Sequence, residues 1–292
     1  MKVVGSISEV FFDFEEVVIF TQFSNTASFV DDVLVPYAEA YQIILNAAFQ
    51  SSQDATKINN LINWLLKIDN SDWIPPAILF LTNHKTDTVV VEKFFEKLER
   101  LAASMFIRRL SVNERLDRYS KILTAIENKE NLYPGKSLLD LSPKEILDTL
   151  AVISGDVYLM PIRPRTYLLL RLDSFISDKA AVYDNRILSV EHVLPQTVDG
   201  NQYWKNHWPD EDVRAEWTHK LGNLLLLSRR KNSQAQNYDF KTKKEKYFSS
   251  KAGISSFALT TKVLEYAEWT PEVVSKRQEE MIEAIREGWD WK

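Results

Sequence analysis

The chain has 292 residues, 45% of them hydrophobic, which is enough for one large domain or two of ordinary size. It has no cysteine, so disulfides and thiolate metal sites are excluded, and any metal must be bound through O and N atoms of Asp, Glu, His and Asn. The net charge of −5 is a sum over the whole surface and does not describe any one face of it. The lack of a signal sequence and of an apolar run of about 20 residues predicts a cytoplasmic protein without membrane contact.

The first half of the chain is predicted to be helical. Glycine is scarce, with 7 residues in all, and long charged amphipathic stretches favour helix over sheet. Residues 1–26 contain apolar and acidic segments that a strand or a helix would explain equally well. From Thr26 the apolar residues recur at helical spacing, and they predict two amphipathic helices, the second capped by Asp54. Pro75 and Pro76 interrupt this pattern, and the elements predicted after them are a buried apolar run at 77–81 and helices at 89–107 and 111–128.

A linker followed by a new helix start divides the chain near residue 136. Residues 131–137 have the turn composition of a linker. Ser142, Pro143 and Glu145 supply the cap, the first-turn proline and the acidic residue of a helix start. We therefore predict a helical domain over residues 1–135 and a second domain over residues 136–292.

The second domain is predicted to hold a small β-β-α core, so that the whole chain is mainly α with an α+β part. A β-branched and apolar strand at 187–190 leads into Glu191-His192-Val193-Leu194-Pro195, where the proline should end it. Gly222-Asn223 opens a second strand over 224–228. For the tryptophans between the two strands, packing in the core is favoured over base stacking. Further helices are predicted at 165–176, 229–246 and 271–291.

One histidine, one carboxylate and two asparagines fall within this β-β-α arrangement. His192 ends the first strand and follows Glu191, Asn223 begins the second strand, and Asn232 comes nine residues later on the predicted helix. Hydrolysis of a phosphodiester needs a base that deprotonates water and a divalent ion that stabilises the leaving oxygen. An imidazole, with a reference pKa of about 6.5, suits the first task. Adjacent side chains point to opposite faces of a strand, so Glu191 and His192 can act together only where the strand bends or ends.

These residues resemble the C-terminal HNH-like nuclease domain of the GmrSD-type enzymes, which are type IV, modification-dependent restriction enzymes. The resemblance rests on the segments 191–196 and 219–224 and on the spacing of Asn232, Asn237, Phe240 and Lys244 beyond them. It covers roughly residues 140–292. The helical first half is similar to the segment that in such proteins follows an N-terminal nucleotide-dependent domain.

The resemblance implies a role for each matching residue. His192 would be the general base, Glu191 and Asn232 would bind Mg²⁺ or Mn²⁺, and Asn223 would hold the loop of His192. A helix cap is the alternative for Asn232, with Asn237 as the competing metal ligand. The 30 residues between His192 and Asn223 exceed the usual loop, which leaves the role of His219 open between packing and a part in the site.

Eight basic residues lie between 220 and 246, against Asp239 and Glu245. Such a run is usually a solvated helix face, but beside a nuclease site it could contact phosphates. The candidate DNA contacts are Arg229, Arg230, Lys231, Lys241, Lys243 and Lys244. Arg163, Arg165 and Arg171 could extend this surface, with ordinary salt bridges as the alternative.

The favoured hypothesis is an HNH-type endonuclease or nickase that depends on Mg²⁺ or Mn²⁺ and hydrolyses DNA in defence against foreign, modified phage DNA. The choice of target comes from the resemblance alone. The alternative is a non-catalytic DNA- or partner-binding module of a restriction complex, docked to a nucleotide-hydrolysing domain or separate subunit. A nuclease that acts on RNA is a third hypothesis, because the same site could hydrolyse either polymer.

Overall fold

A computed structural model describes residues 26–133, 137–177, 188–228, 237–250, 253–254 and 257–291. These residues are mainly helical and include two small antiparallel sheets of two strands each. The predicted mainly helical α+β class is confirmed at this level. The segment at 1–25, whose type was left open, and the middle of the predicted linker, 134–136, lie outside the described residues.

Contacts group the described residues into two compact units. The first unit takes its residues from 1–66, 70–99 and 111–140, and the second from 67–69, 100–110 and 141–292. Neither unit is a continuous stretch of sequence. The predicted domain boundary near residue 136 stays a prediction.

The first unit is built from helices. Helix α4 packs against α2 and α6, and the rings of Phe80 and Phe94 stack with their centroids 3.8 Å apart. The helices are α1 Thr26–Phe29, a π-helical turn at Val30–Leu34, α2 Val35–Asn46, α3 Thr56–Leu65, α4 Ile74–His84, α5 Thr88–Ile107, which runs on into the second unit, and α6 Val112–Glu127. The helices predicted from the apolar spacing in this region are confirmed.

Two helix starts differ from the prediction. Pro75 and Pro76 occupy the first turn of α4 and do not interrupt a helix, because a missing N–H costs nothing where the helix leaves that group unpaired. Asp54 lies one residue before the cap of α3, and its Oδ1 still accepts the N–H of Thr56 at 2.9 Å. At Ser142 the prediction is confirmed, since Ser142 and Glu145 form a reciprocal capping box.

The second unit surrounds the longer sheet with helices. Helix α8 packs against α12 and α13, and α12 also contacts β2. Its elements are α7 Pro143–Ser154, a 3₁₀ turn at Val157–Leu159, α8 Ile162–Ile176, β1 Leu188–His192, α9 Gln202–His207, α10 Glu211–Thr218, a 3₁₀ turn at Leu221–Asn223, β2 Leu224–Ser228, α11 Phe240–Lys243, a π-helical turn at Lys244–Phe248, β3 Ser249–Ser250, β4 Gly253–Ile254, α12 Ala258–Val263 and α13 Pro271–Gly288.

The core of the second unit lies between the first sheet and the segment that connects its strands. Leu225 and Leu227 of β2 are buried in it together with Trp204 and Trp208, which have no exposed surface. The indole N–H of Trp208 donates to the carbonyl of Trp269 at 2.7 Å. The prediction that these two tryptophans pack in the core is therefore confirmed. Among the described helices, none is both long and apolar enough to span a bilayer.

Candidate active site

The first sheet brings His192 next to Asn223. Strand β1 pairs antiparallel with β2, and in this register His192 lies opposite Leu224 at the end of the ladder. Asn223 directly precedes β2, and its carbonyl accepts the N–H of Val193 at 3.0 Å. The prediction that His192 stands at a strand end is confirmed.

The side chain of Asn223 ties down the loop that follows His192. Its Oδ1 accepts the N–H of Leu194 at 2.7 Å and the indole N–H of Trp269 at 3.1 Å. Its Nδ2 donates to the carbonyls of Leu194 and Thr218, each at 2.9 Å. Asn223 has no exposed surface, so the residue positions the loop through four hydrogen bonds and does not itself meet a substrate.

The imidazole of His192 lies among aromatic rings. The ring of Tyr158 is 4.0 Å from that of His192, centroid to centroid, and 5.6 Å from that of His219. His192 Nε2 is 3.4 Å from His219 Nδ1, and its Nδ1 is 3.5 Å from the amide nitrogen of Gln196. Both distances are long for a hydrogen bond, so neither ring nitrogen is firmly engaged.

The surroundings of His192 favour the neutral imidazole. Burial lowers the pKa of His192 to about 3, and the positive groups of His219, Lys243 and Arg165 add to the effect. At neutral pH the ring is therefore uncharged and keeps a lone pair that can accept a proton. Lys243 is paired with the carboxylate of Glu191, whereas Arg165 carries a positive charge near the ring, which suits an anionic substrate.

Glu191 faces Lys243, on the other side of the strand from the aromatic rings. Lys243 Nζ donates to Glu191 Oε1 at 2.7 Å and to the carbonyl of His192 at 2.7 Å. The side chain of Lys243 has no exposed surface, and that of Glu191 is 11% exposed. Burial raises the pKa of Glu191, although Lys243 acts in the opposite direction, and burial lowers the pKa of Lys243.

This placement corrects the interpretation of Lys243 as a DNA contact. Its ammonium group is used inside the protein, because the buried carboxylate of Glu191 needs a compensating charge. Of the other two lysines in the same segment, Lys241 is exposed. Lys244 is half-buried, and its Nζ donates to the carbonyl of Tyr266 at 2.5 Å.

Some of the remaining predicted site residues lie within the described residues and others lie outside them. His219 joins His192 and Tyr158, and its carbonyl also accepts the Tyr158 N–H at 3.1 Å. Asn237 is exposed, and its carbonyl accepts a hydrogen bond from Asn201 Nδ2 at 2.6 Å. The predicted metal ligand Asn232 and the predicted DNA contacts Arg229, Arg230 and Lys231 lie outside the described residues. Within the described residues, no three His, Cys, Asp or Glu side chains are grouped to hold a metal ion.

Of two further residues of this site, Tyr158 was not singled out from the sequence and Lys243 was given another role. Tyr158 packs on both histidines, and Lys243 balances Glu191. A tyrosine in a short turn has no pattern that points to a site 34 residues later. For Lys243, the signal was its place three residues after the apolar Phe240 on the same helix, but it was outweighed by the run of basic residues around it.

A neutral imidazole at a strand end, near the cationic Arg165, defines a site suited to acid–base chemistry on an anionic substrate. Residues 156–284 match the family described as GmrSD restriction endonucleases, C-terminal domain. The match confirms the resemblance found in the sequence for this segment, and it supports a nuclease role in restriction. No curated protein matches the chain.

Proposed function

We propose that residues 156–284 form an HNH-type endonuclease or nickase that hydrolyses phosphodiester bonds of DNA in restriction of foreign, modified phage DNA. The observation that carries the proposal is the placement of His192: a buried, neutral imidazole at a strand end whose loop is held by Asn223. The family match of the same segment supports the nuclease class. The proposed partners are DNA and a nucleotide-hydrolysing domain or subunit.

In this proposal His192 is the general base. The neutral ring accepts a proton from the attacking water, and the imidazolium that forms becomes easier to accommodate once an anionic phosphate lies beside it. Asn223 contributes by fixing the backbone on both sides of Leu194, which prevents the loop after His192 from shifting. Precise placement of a base is worth a large factor in rate, since misplacement by about 1 Å can cost a hundredfold.

The divalent cation of this proposal rests on the types of donor that the resemblance implies. A carboxylate and an amide oxygen are ligands that Mg²⁺ and Mn²⁺ prefer. Glu191 and Asn232 would hold the ion, and Lys243 binds Oε1 of Glu191 in the structure. When bound, the ion stabilises the charge that develops on the leaving oxygen.

The test is cleavage of supercoiled plasmid with Mg²⁺ or Mn²⁺, followed on agarose gels. We expect the wild-type protein to nick or cut the plasmid and His192→Ala to reduce the rate by about 100-fold or more, as for loss of a general base. His207→Ala is the matched control, because His207 stacks on Tyr203 and its Nδ1 donates to the Tyr203 carbonyl outside the proposed site. Circular dichroism checks that both variants are folded.

Equal cleavage by the wild-type protein and His192→Ala would exclude His192 as the base. If the wild-type protein binds DNA in a salt-dependent manner but does not cleave it with either metal, the non-catalytic module replaces the nuclease. Parallel reactions on single-stranded and duplex RNA distinguish a nuclease that acts on RNA.

A further inference from the structure

The guanidinium group of Arg165 has no carboxylate partner among the described residues. Arg165 lies in the first turns of α8 and is half-buried. Its Nη1 donates to the carbonyl of Tyr158, whereas its Nε is buried and has no hydrogen-bond partner among the described residues. Nor does any carboxylate of the described residues form a salt bridge with it.

Its neighbour on the same helix shows the contrast. The side chain of Arg163 is 73% exposed, and its Nη1 lies 3.3 Å from Asp69 Oδ2. Arg163 thus has a carboxylate partner in a solvated position, where charge costs little. Arg165 keeps its charge in a half-buried position without such a partner, and burial lowers its pKa. A buried cation of this kind calls for an anion.

Arg165 belongs to the surroundings of His192. Its guanidinium carbon lies 4.4 Å from the centroid of the Tyr158 ring, and that ring is itself 4.0 Å from the ring of His192. The charge of Arg165 is also close enough to lower the pKa of His192. Tyr158 therefore links the guanidinium of Arg165 to the imidazole of His192, the proposed base.

Among the described residues near His192, Arg165 is a cation without a carboxylate partner. The charge of Lys243 is compensated by Glu191, and Lys220 pairs with Asp156 at 3.5 Å. Because the Nη1 atom of Arg165 is taken by a carbonyl, the edge formed by Nε and Nη2 remains for an acceptor. Two parallel N–H groups on one edge match the two oxygens of a phosphate.

We propose that Arg165 binds a backbone phosphate of the nucleic-acid substrate beside His192, through the Nε and Nη2 edge of its guanidinium. This inference rests on the proposed nuclease function for its biological meaning, but the binding of phosphate can be measured without cleavage. Tyr158 takes part as the residue that holds the guanidinium and the imidazole next to each other. Neither role is contained in the match of residues 156–284 to the restriction endonuclease family.

The first measurement is the melting temperature of the protein in increasing concentrations of inorganic phosphate, at constant ionic strength set with chloride. The variants are Arg165→Gln, which keeps a donor for the Tyr158 carbonyl but loses the charge, Arg165→Lys, and the matched control Arg163→Gln. We expect phosphate to raise the melting temperature of the wild-type protein and of Arg163→Gln, and to leave that of Arg165→Gln unchanged. Arg165→Lys should respond weakly, because it keeps the charge without the paired N–H groups.

The second measurement is binding of a fluorescent 20-base-pair duplex in EDTA as a function of salt, together with steady-state cleavage with Mg²⁺. In Arg165→Gln we expect the slope of log K against log salt to fall by about 1, as for the loss of one phosphate contact. We expect kcat to fall by about 100-fold or more, since the contact serves the reacting phosphate. Arg163→Gln should keep kcat within about twofold, because Arg163 forms the salt bridge with Asp69 that was the alternative to a DNA contact.

The proposal is overturned if the wild-type protein does not respond to phosphate, or if Arg165→Gln responds as the wild-type protein does. If Arg165→Gln does not fold, Arg165→Lys is used in its place. A phosphate response and a kcat in Arg165→Lys equal to those of the wild-type protein would contradict a contact through two parallel N–H groups. A protein that binds phosphate through Arg165 but never cleaves DNA would refute the proposed function and leave this inference standing.

Discussion

The positive charge of Lys243 is compensated by Glu191, which lies 52 positions earlier in the chain. The ammonium group reaches both the carboxylate of Glu191 and the carbonyl of His192, so it joins α11 to the end of β1. A buried pair of this kind adds little stability compared with apolar side chains of the same size, but loss of one partner is costly because a charge remains buried alone. Lys243 therefore matters chiefly for where Glu191 and the end of β1 lie.

Replacement of Lys243 by Met tests how much the loss of one partner of this ion pair costs. We expect Lys243→Met to lower the free energy of unfolding by about 3–5 kcal/mol, because Glu191 loses its cation and must take up a proton or reach solvent. Urea unfolding followed by circular dichroism measures the loss. The control is Lys241→Met, two residues earlier in α11, where the side chain is exposed and the change should stay within about 0.5 kcal/mol.

The double variant Glu191→Gln with Lys243→Met supplies the second check. It removes both charges, so part of the lost stability should return relative to Lys243→Met alone. If Lys243→Met and Lys241→Met both unfold at the same urea concentration as the wild-type protein, the ion pair of Lys243 with Glu191 does not stabilise the fold.

At the scale of elements, the turn before β2 is held against helix α13 by close backbone packing. The N–H of Gly222 donates to Gln278 Oε1 at 2.5 Å, and Arg277 donates to the carbonyls of Gly222 and Leu224. A Cβ atom at position 222 would lie 2.6 Å from the carbonyl oxygen of Val274. The glycine is therefore required by proximity, and α13 indirectly sets the position of Asn223.

Gly222→Ala should destabilise the protein by about 1–3 kcal/mol, because a backbone carbonyl in a helix cannot move aside as a side chain can. It should also slow plasmid cleavage, since Asn223 and the loop of His192 shift with the turn. Gly200→Ala is the comparison: a Cβ there meets nothing within 4 Å, and the cost comes from its positive φ of 74°, roughly 1–2 kcal/mol. That variant should lose stability and keep its cleavage rate per folded molecule. Wild-type stability in Gly222→Ala would contradict the packing argument.

The helices of the first unit, and α7, α8 and α13 of the second, could be predicted because their signals are local, whereas α9, α10 and α12 were not predicted. The helix predicted over 229–246 is wrong at 237–239, which are not helical and lead to the cap of α11 at Asp239. Apolar spacing and the Ser142 capping box act within a few residues and do not depend on the fold. The start of α4 was misjudged because two prolines in a row read equally well as an interruption or as a first turn. The register of β1 with β2, which places His192 opposite Leu224, is a contact across more than 30 residues that no local pattern contains.

At the scale of the whole molecule, the sequence indicated the chemistry of the site better than its geometry. His192 and Asn223 could be found because the segments 191–196 and 219–224 resemble those of a family, and the matched segment 156–284 contains both. The partners of the site could not be found in this way. The basic run around Lys243 looks uniform in sequence, and only packing shows that Lys243 points inward while Lys241 points to solvent. Arg165 likewise differs from Arg163 through burial and the absence of a carboxylate among the described residues, which composition does not reveal.

The division of the chain into units gives a prediction for fragments. Residues 100–110, the end of α5, belong to the second unit. Ser104 Oγ and Thr149 Oγ1 are buried and lie 2.8 Å apart, and the ring of Phe106 packs edge-on against Tyr167 with their centroids 5.7 Å apart. A fragment of residues 136–292, cut at the boundary predicted from the linker, would lack these contacts.

We expect the fragment 136–292 to melt roughly 10 °C below the fragment 100–292, because several buried side chains worth roughly 2 kcal/mol each lose their packing. Differential scanning calorimetry measures both transitions. The fragment 111–292 is the control for length: it is longer than 136–292 but also lacks residues 100–110, so it should melt with the shorter fragment. Equal melting temperatures for 100–292 and 136–292 would instead support the boundary near residue 136, since the end of α5 would then add nothing to the second unit.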